Sequence, residues 1–145
     1  MKKILYSFLI FSSASLLAQK NPATRFAVAN DIVGTVDLFT GKENIIQSKQ
    51  VYKTASSLPQ NLKKFGYIAD NGLVEYKLKK GYEGQDRLTL AQINEGHGVS
   101  KDSPVFVDGY EFSNPDTMIY AEILNNVEVK DNNGKKSVFA TSKLK

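Results

Sequence analysis

Apolar and polar residues alternate in short runs along most of the chain, and Gly, Asn and Pro residues separate these runs. After residue 19, no stretch keeps the 3.6-residue apolar period for the roughly ten residues that a long helix needs. Short alternating runs between turn residues are typical of β-strands. We therefore predict an α+β fold that is mainly β, with a small antiparallel or mixed sheet, β-hairpins and one or two short helices.

The strongest local prediction is a hairpin over residues 65–78 that turns at Asn71-Gly72. This dipeptide suits a two-residue type I′ turn, because both central residues of that turn need a positive φ. In the resulting register, the apolar partners would share one face of the sheet. These partners are Ala69 with Val74, Tyr67 with Tyr76, and Phe65 with Leu78.

A second hairpin is predicted at Asn133-Gly134. A two-residue turn there again places apolar residues opposite one another, whereas a four-residue loop would place Val129 opposite Lys136 and scatter them. The two-residue turn is therefore favoured. The cross-strand pairs that it predicts are Val129 with Val138, Val127 with Ala140, and Asp131 with Lys136.

Further strands are predicted over residues 32–39, 45–53 and 105–110, and a turn at Thr40-Gly41-Lys42 follows the first of them. A short helix is predicted to begin after Thr89, which can form a capping box with Gln92. Gly96 or Gly98 would end this helix.

Asn114-Pro115-Asp116 predicts a second helix or a turn. Asn114 would be the N-cap, Pro115 suits the first helical position, and Asp116 would complement the helix dipole. This element would end before Asn125-Asn126.

The N-terminal segment has a different character. Lys2-Lys3 precede residues 4–17, which are apolar except for Ser and one Tyr. This order is typical of a secretory signal peptide. A transmembrane anchor is the alternative, but the segment contains several Ser and is shorter than the about 20 apolar residues of a membrane span.

We expect cleavage after Ala18, with Ala14 as the alternative position. Residues 1–18 would then be the leader, and residues 19–145 would form a single exported domain without a membrane span. This domain would work in the periplasm or outside the cell.

Composition narrows the classes of partner. The chain has a formal net charge of +4 and no Cys. Without Cys, it can have neither a disulfide framework nor a lipid attached to an N-terminal Cys. Two of its lysines belong to the leader, and the others are scattered among acidic residues. We therefore predict no nucleic-acid partner, because such partners need a clustered basic surface.

Residues 103–143 contain a run of motifs: Ser-Pro-Val-Phe-Val-Asp-Gly-Tyr, Asn-Pro-Asp, Asn-Val-Glu-Val-Lys-Asp and Ser-Val-Phe-Ala-Thr-Ser-Lys. This run resembles the plug domain of TonB-dependent outer-membrane receptors. In that family a Val-Asp-Gly-like turn precedes an Asn-Pro-Asp-like helix start and a Val-Glu-Val-Lys-Asp-like strand. Here a tight Asn-Asn-Gly turn replaces the Gly-rich stretch that follows in the family. The resemblance implies a plug-like binding role.

Residues 33–78 carry Gly34-Thr35-Val36, Thr40-Gly41-Lys42 and Asp70-Asn71-Gly72. This order resembles carboxypeptidase-regulatory-like β-sandwich domains, which often precede plugs in receptors of the Bacteroidetes type. The alternative for both segments is a pair of ordinary hairpins, whose turns use the same residues.

The sequence predicts no catalytic residue. A hydrolytic site needs a nucleophile beside a base, and the one histidine, His97, lies between two glycines without a Gly-x-Ser-x-Gly motif elsewhere. An exposed loop imidazole is the favoured interpretation of His97.

Metal and cofactor sites are not predicted either. Glu95, His97, Asp102 and Asp108 lie close in sequence, but no pair has the helical spacing of a zinc site. Residues 131–134 superficially resemble a calcium loop. There the Gly is misplaced, and Ser142 stands where the loop would need Glu.

Loops on a rigid scaffold carry most recognition, so the predicted binding surface is either the loops at residues 96–102 and 110–117 or an exposed sheet edge. The candidate binding residues are His97, Asp102, Asp108, Tyr110 and Asn114. A further candidate is the basic and aromatic cluster of Lys77, Lys79 and Lys80 with Tyr76 and Tyr82, for which a solvated strand end is the simpler interpretation.

The leading hypothesis is a non-catalytic, exported binding or protein-interaction domain of the periplasm or cell envelope, with an envelope protein or a small ligand as partner. One alternative is a small secreted hydrolase that uses His97. Another is an inhibitor of an envelope-degrading enzyme.

Export predicts a shortened protein. We expect the protein from its native envelope fraction to begin at Gln19, because a peptidase cuts after a small residue that follows an apolar segment. Intact-mass spectrometry of the fractionated protein measures this. A cytoplasmic protein that keeps Met1 would contradict the prediction.

Overall fold

A computed structural model describes residues 23–143. The predicted leader therefore lies outside the described residues. The structure contains two β-sheets and several short helices, which confirms the predicted α+β, mainly β class. The strands are β1 (Phe26–Ala29), β2 (Ile32–Thr35), β3 (Ile46–Tyr52), β4 (Leu73–Leu78), β5 (Arg87–Thr89), β6 (Val105–Val107), β7 (Tyr110–Phe112), β8 (Met118–Tyr120), β9 (Asn126–Asn132) and β10 (Lys135–Thr141).

The helices are short. Two are α-helices, α1 (Val36–Phe39) and α2 (Leu90–Gly96). The 3₁₀ segments are Glu43–Ile45, Ala55–Ser57, Gln60–Ile68 and Ala121–Ile123. Within residues 23–143, no helix combines the length and the apolar character needed to cross a bilayer.

Both sheets are mixed. The first sheet has the strand order β3-β4-β1-β2-β8-β5, and the second has the order β7-β6-β10-β9. The parallel neighbours are β1 with β4, β2 with β8, and β6 with β10. The other neighbours are antiparallel. Strands β3 and β9 are the long outer strands, with seven residues each.

The main core lies between the two sheets, and a smaller core covers the other face of the first sheet. Strand β1 contributes to both, since Phe26 and Val28 belong to the main core and Ala27 and Ala29 to the smaller one. All four residues are buried. The first sheet therefore has apolar packing on both faces at its centre.

Two local predictions are confirmed in detail. The hairpin at Asn133-Gly134 joins β9 to β10 in the predicted register, and both turn residues have positive φ, at 53° and 85°. The capping box before α2 is also present. The Thr89 hydroxyl accepts a hydrogen bond from the Gln92 backbone N–H at 3.2 Å, and the Gln92 side chain accepts one from the Thr89 N–H at 2.9 Å.

The predicted hairpin over residues 65–78 is wrong. Its first half belongs to the 3₁₀ helix Gln60–Ile68, and β4 pairs with β1 and β3 instead. Asn71-Gly72 still forms part of a turn, in which the Gly72 N–H donates to the Ala69 carbonyl at 3.0 Å, but Gly72 alone of the pair has a positive φ.

The hairpin does not form because apolar residues in this segment also recur at every third position, a pattern that the alternation of apolar and polar residues obscures. Leu62, Phe65 and Ile68 are buried, whereas Tyr67 is 44% exposed. A 3₁₀ helix has three residues per turn, so these three side chains share one face. That face packs into the main core.

Two predicted strands are shorter than expected, while β3 lies within its predicted range of 45–53. The strand over residues 32–39 ends at Thr35, because the Thr35 hydroxyl accepts a hydrogen bond from the Leu38 N–H and begins α1. The strand over residues 105–110 is interrupted by Asp108-Gly109, both with positive φ, so that β6 and β7 form a hairpin.

The prediction of a helix at Asn114-Pro115-Asp116 is wrong, and the alternative prediction of a turn is confirmed. The Asn114 side chain accepts a hydrogen bond from the Asp116 N–H at 3.0 Å, as an N-cap would, but the chain then enters β8. Ile119 in β8 is fully buried between β2 and β5. Strand pairing of this β-branched residue therefore overrides the local helix signal.

The two turn glycines allow a matched test. Both Gly72 and Gly134 have a positive φ, but a Cβ on Gly72 would lie 2.6 Å from the Tyr52 carbonyl oxygen, whereas a Cβ on Gly134 would meet nothing within 4 Å. We expect Gly134→Ala to lower the free energy of unfolding by about 1–2 kcal/mol, the cost of a left-handed conformation. Gly72→Ala should cost roughly 1–3 kcal/mol more, because a backbone atom must move. Urea unfolding measures both, and equal costs would contradict the predicted crowding.

Candidate functional site

His97 lies at the end of α2 and is exposed. Its Nδ1 atom is 2.8 Å from the Ile93 carbonyl oxygen, one helical turn earlier. The loop that follows is anchored by the fully buried Asn94, whose amide donates to the Ser103 carbonyl at 2.8 Å. The contact with Ile93 directs His97 toward its own helix end. The exposed position and this contact agree with the interpretation of His97 as an exposed loop imidazole.

Asp108 occupies the turn between β6 and β7 at a φ of 51°. Its carboxylate accepts hydrogen bonds from the backbone N–H of Ser142, at 2.8 Å, and from the Ser142 hydroxyl. It also lies 3.3 Å from the Arg25 guanidinium, and its side chain is only 8% exposed. Asp108 therefore ties the β6–β7 turn to both the start and the end of the described chain.

Tyr110 uses its hydroxyl in a similar way. The hydroxyl donates to both carboxylate oxygens of Asp70, at 2.7 and 2.9 Å, and the ring packs edge-on against Phe26 with a centroid distance of 5.0 Å. Burial raises the pKa of Tyr110, and the hydrogen bond and negative charge of Asp70 raise this pKa further. The phenol therefore remains neutral and keeps donating at physiological pH.

Among residues 23–143, the hydrogen bonds and ion pairs of the predicted binding residues go to other residues and not to one another. Asp102 and Asn114 are exposed in separate turns, and Asn114 lies beside Lys64 and Phe65 in a shallow depression. Glu95, another residue considered as a metal ligand, is exposed on α2. Within residues 23–143, no group of three or more His, Cys, Asp or Glu side chains is placed to hold a metal ion.

A groove beside β3 is the candidate site that the structure adds. Its volume is about 370 Å³. It lies between the α1 region and the outer strand of the first sheet, and we call it the β3 groove. The residues that line it are Val36, Phe39, Thr40, Glu43, Ile46, Gln47, Ser48, Lys49 and Tyr76.

The floor of the β3 groove is aromatic, and its rim is polar. The rings of Phe39 and Tyr76 pack at a centroid distance of 4.6 Å, and the Lys49 ammonium lies 5.9 Å from the Tyr76 ring centroid. Burial raises the pKa of Tyr76, and the nearby carboxylate of Glu43 raises this pKa further. An apolar floor with a few polar groups around it is typical of ligand sites.

Next to the groove, β3 forms an edge of the first sheet. Among the described residues, β4 is the only strand neighbour of β3. The register of these two strands shifts between Ile46 and Ser48, so Gln47 is the extra residue of a bulge. Bulges redirect side chains and are frequent beside functional sites. The side chain of Gln47 is exposed and lines the groove.

The sequence contained only part of the signal for this site. The sequence predicts the strand over residues 45–53 and the turn at residues 40–42, but it places Phe39 in a strand and Tyr76 in a hairpin that the structure does not contain. The two rings meet only because α1 folds back over the first sheet. The local signal for α1 is Thr35, a residue type that is common at helix N-caps and whose hydroxyl accepts a hydrogen bond from the Leu38 N–H.

Comparison of the chain with protein-family models, with curated proteins and with solved structures gave no match.

The contacts of Asp108 predict a structural role. Replacement Asp108→Asn keeps a residue that tolerates positive φ but removes the charge that Ser142 and Arg25 contact. We expect the free energy of unfolding to fall by roughly 1–3 kcal/mol, the contribution of hydrogen bonds to a charged group. Urea unfolding measures the loss.

The matched control is Asp102→Asn, since Asp102 is exposed. A surface change of this kind should alter the free energy of unfolding by at most about 0.5 kcal/mol. Similar effects of the two variants would show that the buried carboxylate of Asp108 does not stabilise the fold.

Proposed function

We propose that this protein is a non-catalytic binding domain of the cell envelope that holds an extended segment of a partner protein along β3. The observation that carries the proposal is the adjacency of an open seven-residue strand and an aromatic-floored groove. Export and envelope location rest on the leader pattern in residues 1–18. The plug-like resemblance of residues 103–143 supports the same class of role.

The open edge of β3 can bind the backbone of a partner peptide, and this part of the affinity does not depend on the peptide's sequence. An outer strand presents unpaired backbone N–H and C=O groups, and an extended peptide can pair with them as an additional strand. The residues of β3 between its ends are exposed, so an incoming strand would meet little obstruction from buried side chains.

The β3 groove can supply specificity. Alternate side chains of an added strand point to the same face, so one of them can enter a groove beside the sheet edge. The floor of Phe39 and Tyr76 suits an apolar or aromatic side chain. The Lys49 ammonium and the Glu43 carboxylate at the rim suit polar neighbours on either side of that side chain.

The bulge makes this combination possible. Ile46 pairs with Leu78 and Ser48 pairs with Lys77, so Gln47 has no partner on β4. This interruption of the ladder lies beside the groove. The interruption also makes β3 a poor template for unlimited regular pairing. A short partner segment is therefore the expected ligand.

The proposal predicts selection of extended peptides by the purified domain. We expect phage-displayed seven-residue peptides with a central apolar or aromatic residue to bind, and their amide chemical-shift changes to map to β3 and the β3 groove. Methylation of the peptide backbone nitrogens on one set of alternate positions should abolish binding, while methylation on the other set should not. Chemical-shift changes confined to the second sheet would contradict the proposal.

Two glutamines of β3 provide matched variants. Gln47 lines the groove, whereas Gln50 is exposed on the same strand but pairs with Glu75 on the other face. We expect Gln47→Trp to fill the groove and weaken a selected peptide at least about tenfold, which corresponds to roughly 1.4 kcal/mol. Gln50→Trp should leave the affinity nearly unchanged. The chain contains no Trp, so fluorescence of the single introduced indole also reports binding.

A further inference from the structure

A second open edge, on the other sheet, indicates self-association. Strand β9 has seven residues and is the outermost strand of the second sheet. Its pairing with β10 is regular from Asn126 to Asn132, without the bulge that interrupts β3. Among the described residues, β10 is its only strand neighbour.

We infer that the protein forms a two-fold symmetric dimer in which β9 pairs antiparallel with β9 of a second copy, with Val129 on the symmetry axis. The dimer would join the two four-stranded sheets into one continuous sheet. This inference goes beyond the proposed function, because it concerns another sheet and another partner.

The hairpin geometry shows which backbone groups are free to form this interface. A two-residue turn makes Asn132 and Lys135 a hydrogen-bonded pair, and hydrogen-bonded and non-hydrogen-bonded pairs alternate along an antiparallel ladder. Val127, Val129 and Asp131 are therefore in non-hydrogen-bonded pairs with β10. Their N–H and C=O groups point to the open edge, where a second strand can bind them.

Of the three registers centred on residues 128, 129 and 130, the charges of β9 favour the one centred on residue 129. With Val129 opposite Val129 of the second copy, Glu128 lies opposite Lys130 of the second copy, and the two-fold axis repeats this pair. A register centred on residue 128 would place two Glu opposite each other, and one centred on residue 130 would place two Lys opposite each other. Opposite charges across a strand pair are stabilising, and like charges are destabilising.

The side chains at this edge are already positioned for the pairing. Lys130 lies 3.1 Å from Glu128 on the same face of its own strand, and its ammonium is 5.5 Å from the Phe139 ring centroid. Phe139 in turn stacks on Phe106 at 4.6 Å with an interplanar angle of 6°. These contacts hold Lys130 along the strand, which reduces the entropy lost when a second Glu128 approaches.

Val129 provides the apolar contact at the centre. It is 40% exposed in the single chain, one of the few large apolar side chains that are exposed among the described residues. On the two-fold axis it would cover its own symmetry mate. Because a single strand pair buries little surface, we expect weak association, in the range typical of small interfaces.

Charge exchange tests the register. We expect sedimentation equilibrium between about 10 µM and about 1 mM, where small interfaces associate, to show a monomer–dimer equilibrium. E128K and K130E should each weaken the dimer roughly tenfold, because each places like charges opposite each other at two symmetric positions. The double variant E128K plus K130E exchanges the charges and should restore the wild-type equilibrium. K49E, on β3, should leave it unchanged.

Val129→Pro tests the backbone part of the interface. Proline removes the outward N–H of residue 129, which β10 does not use, so the circular-dichroism spectrum should persist while the dimer is lost. A wild-type protein that stays monomeric throughout the concentration range would overturn the inference. So would a dimer that the single charge variants do not weaken, or a folded double variant that fails to recover.

The dimer and the peptide site can be separated. Gln47→Trp should leave the monomer–dimer equilibrium unchanged, and Val129→Pro should leave peptide binding unchanged. Failure of one set of results therefore does not imply failure of the other.

Discussion

Burial of β1 on both faces is the constraint on which the structure depends. Phe26 packs edge-on against Tyr110 and Phe112 of the second sheet, at centroid distances of 5.0 and 5.9 Å. On the opposite face, the small side chain of Ala29 leaves room for the Tyr120 hydroxyl to donate to the Ala29 carbonyl at 3.2 Å. The large side chains of β1 therefore pack in the main core and its alanines pack in the smaller core. Each face of the strand thus fits a different packing volume.

This arrangement also determines where binding can occur. The central strands use their backbone groups on both sides, so β3 and β9 remain as the long open edges of the described chain. The two edges differ physically. A bulge and a neighbouring groove make β3 suited to a short foreign segment, whereas the regular ladder and alternating charges of β9 suit a second copy.

Local interactions were predicted where the interacting residues lie a few positions apart. Asn133-Gly134 specified its turn and register, and Thr89 with Gln92 specified the start of a helix. The same kind of reasoning was wrong for residues 65–78, because their alternation competed with the three-residue period of Leu62, Phe65 and Ile68. Leu62, Phe65 and Ile68 are buried in the main core. The sequence pattern alone does not show which of two competing apolar faces will be buried.

The sequence alone determined the secondary-structure class, one hairpin with its register and one capped helix, since turn chemistry and capping depend on neighbouring residues. Tertiary structure decided that β4 lies parallel to β1, that Asp108 reaches Ser142, and that Phe39 meets Tyr76 to form the groove floor. Backbone hydrogen bonds are chemically the same for any strand neighbour. The choice of neighbour therefore comes from packing between residues that are distant in sequence, and the candidate sites are consequences of that choice.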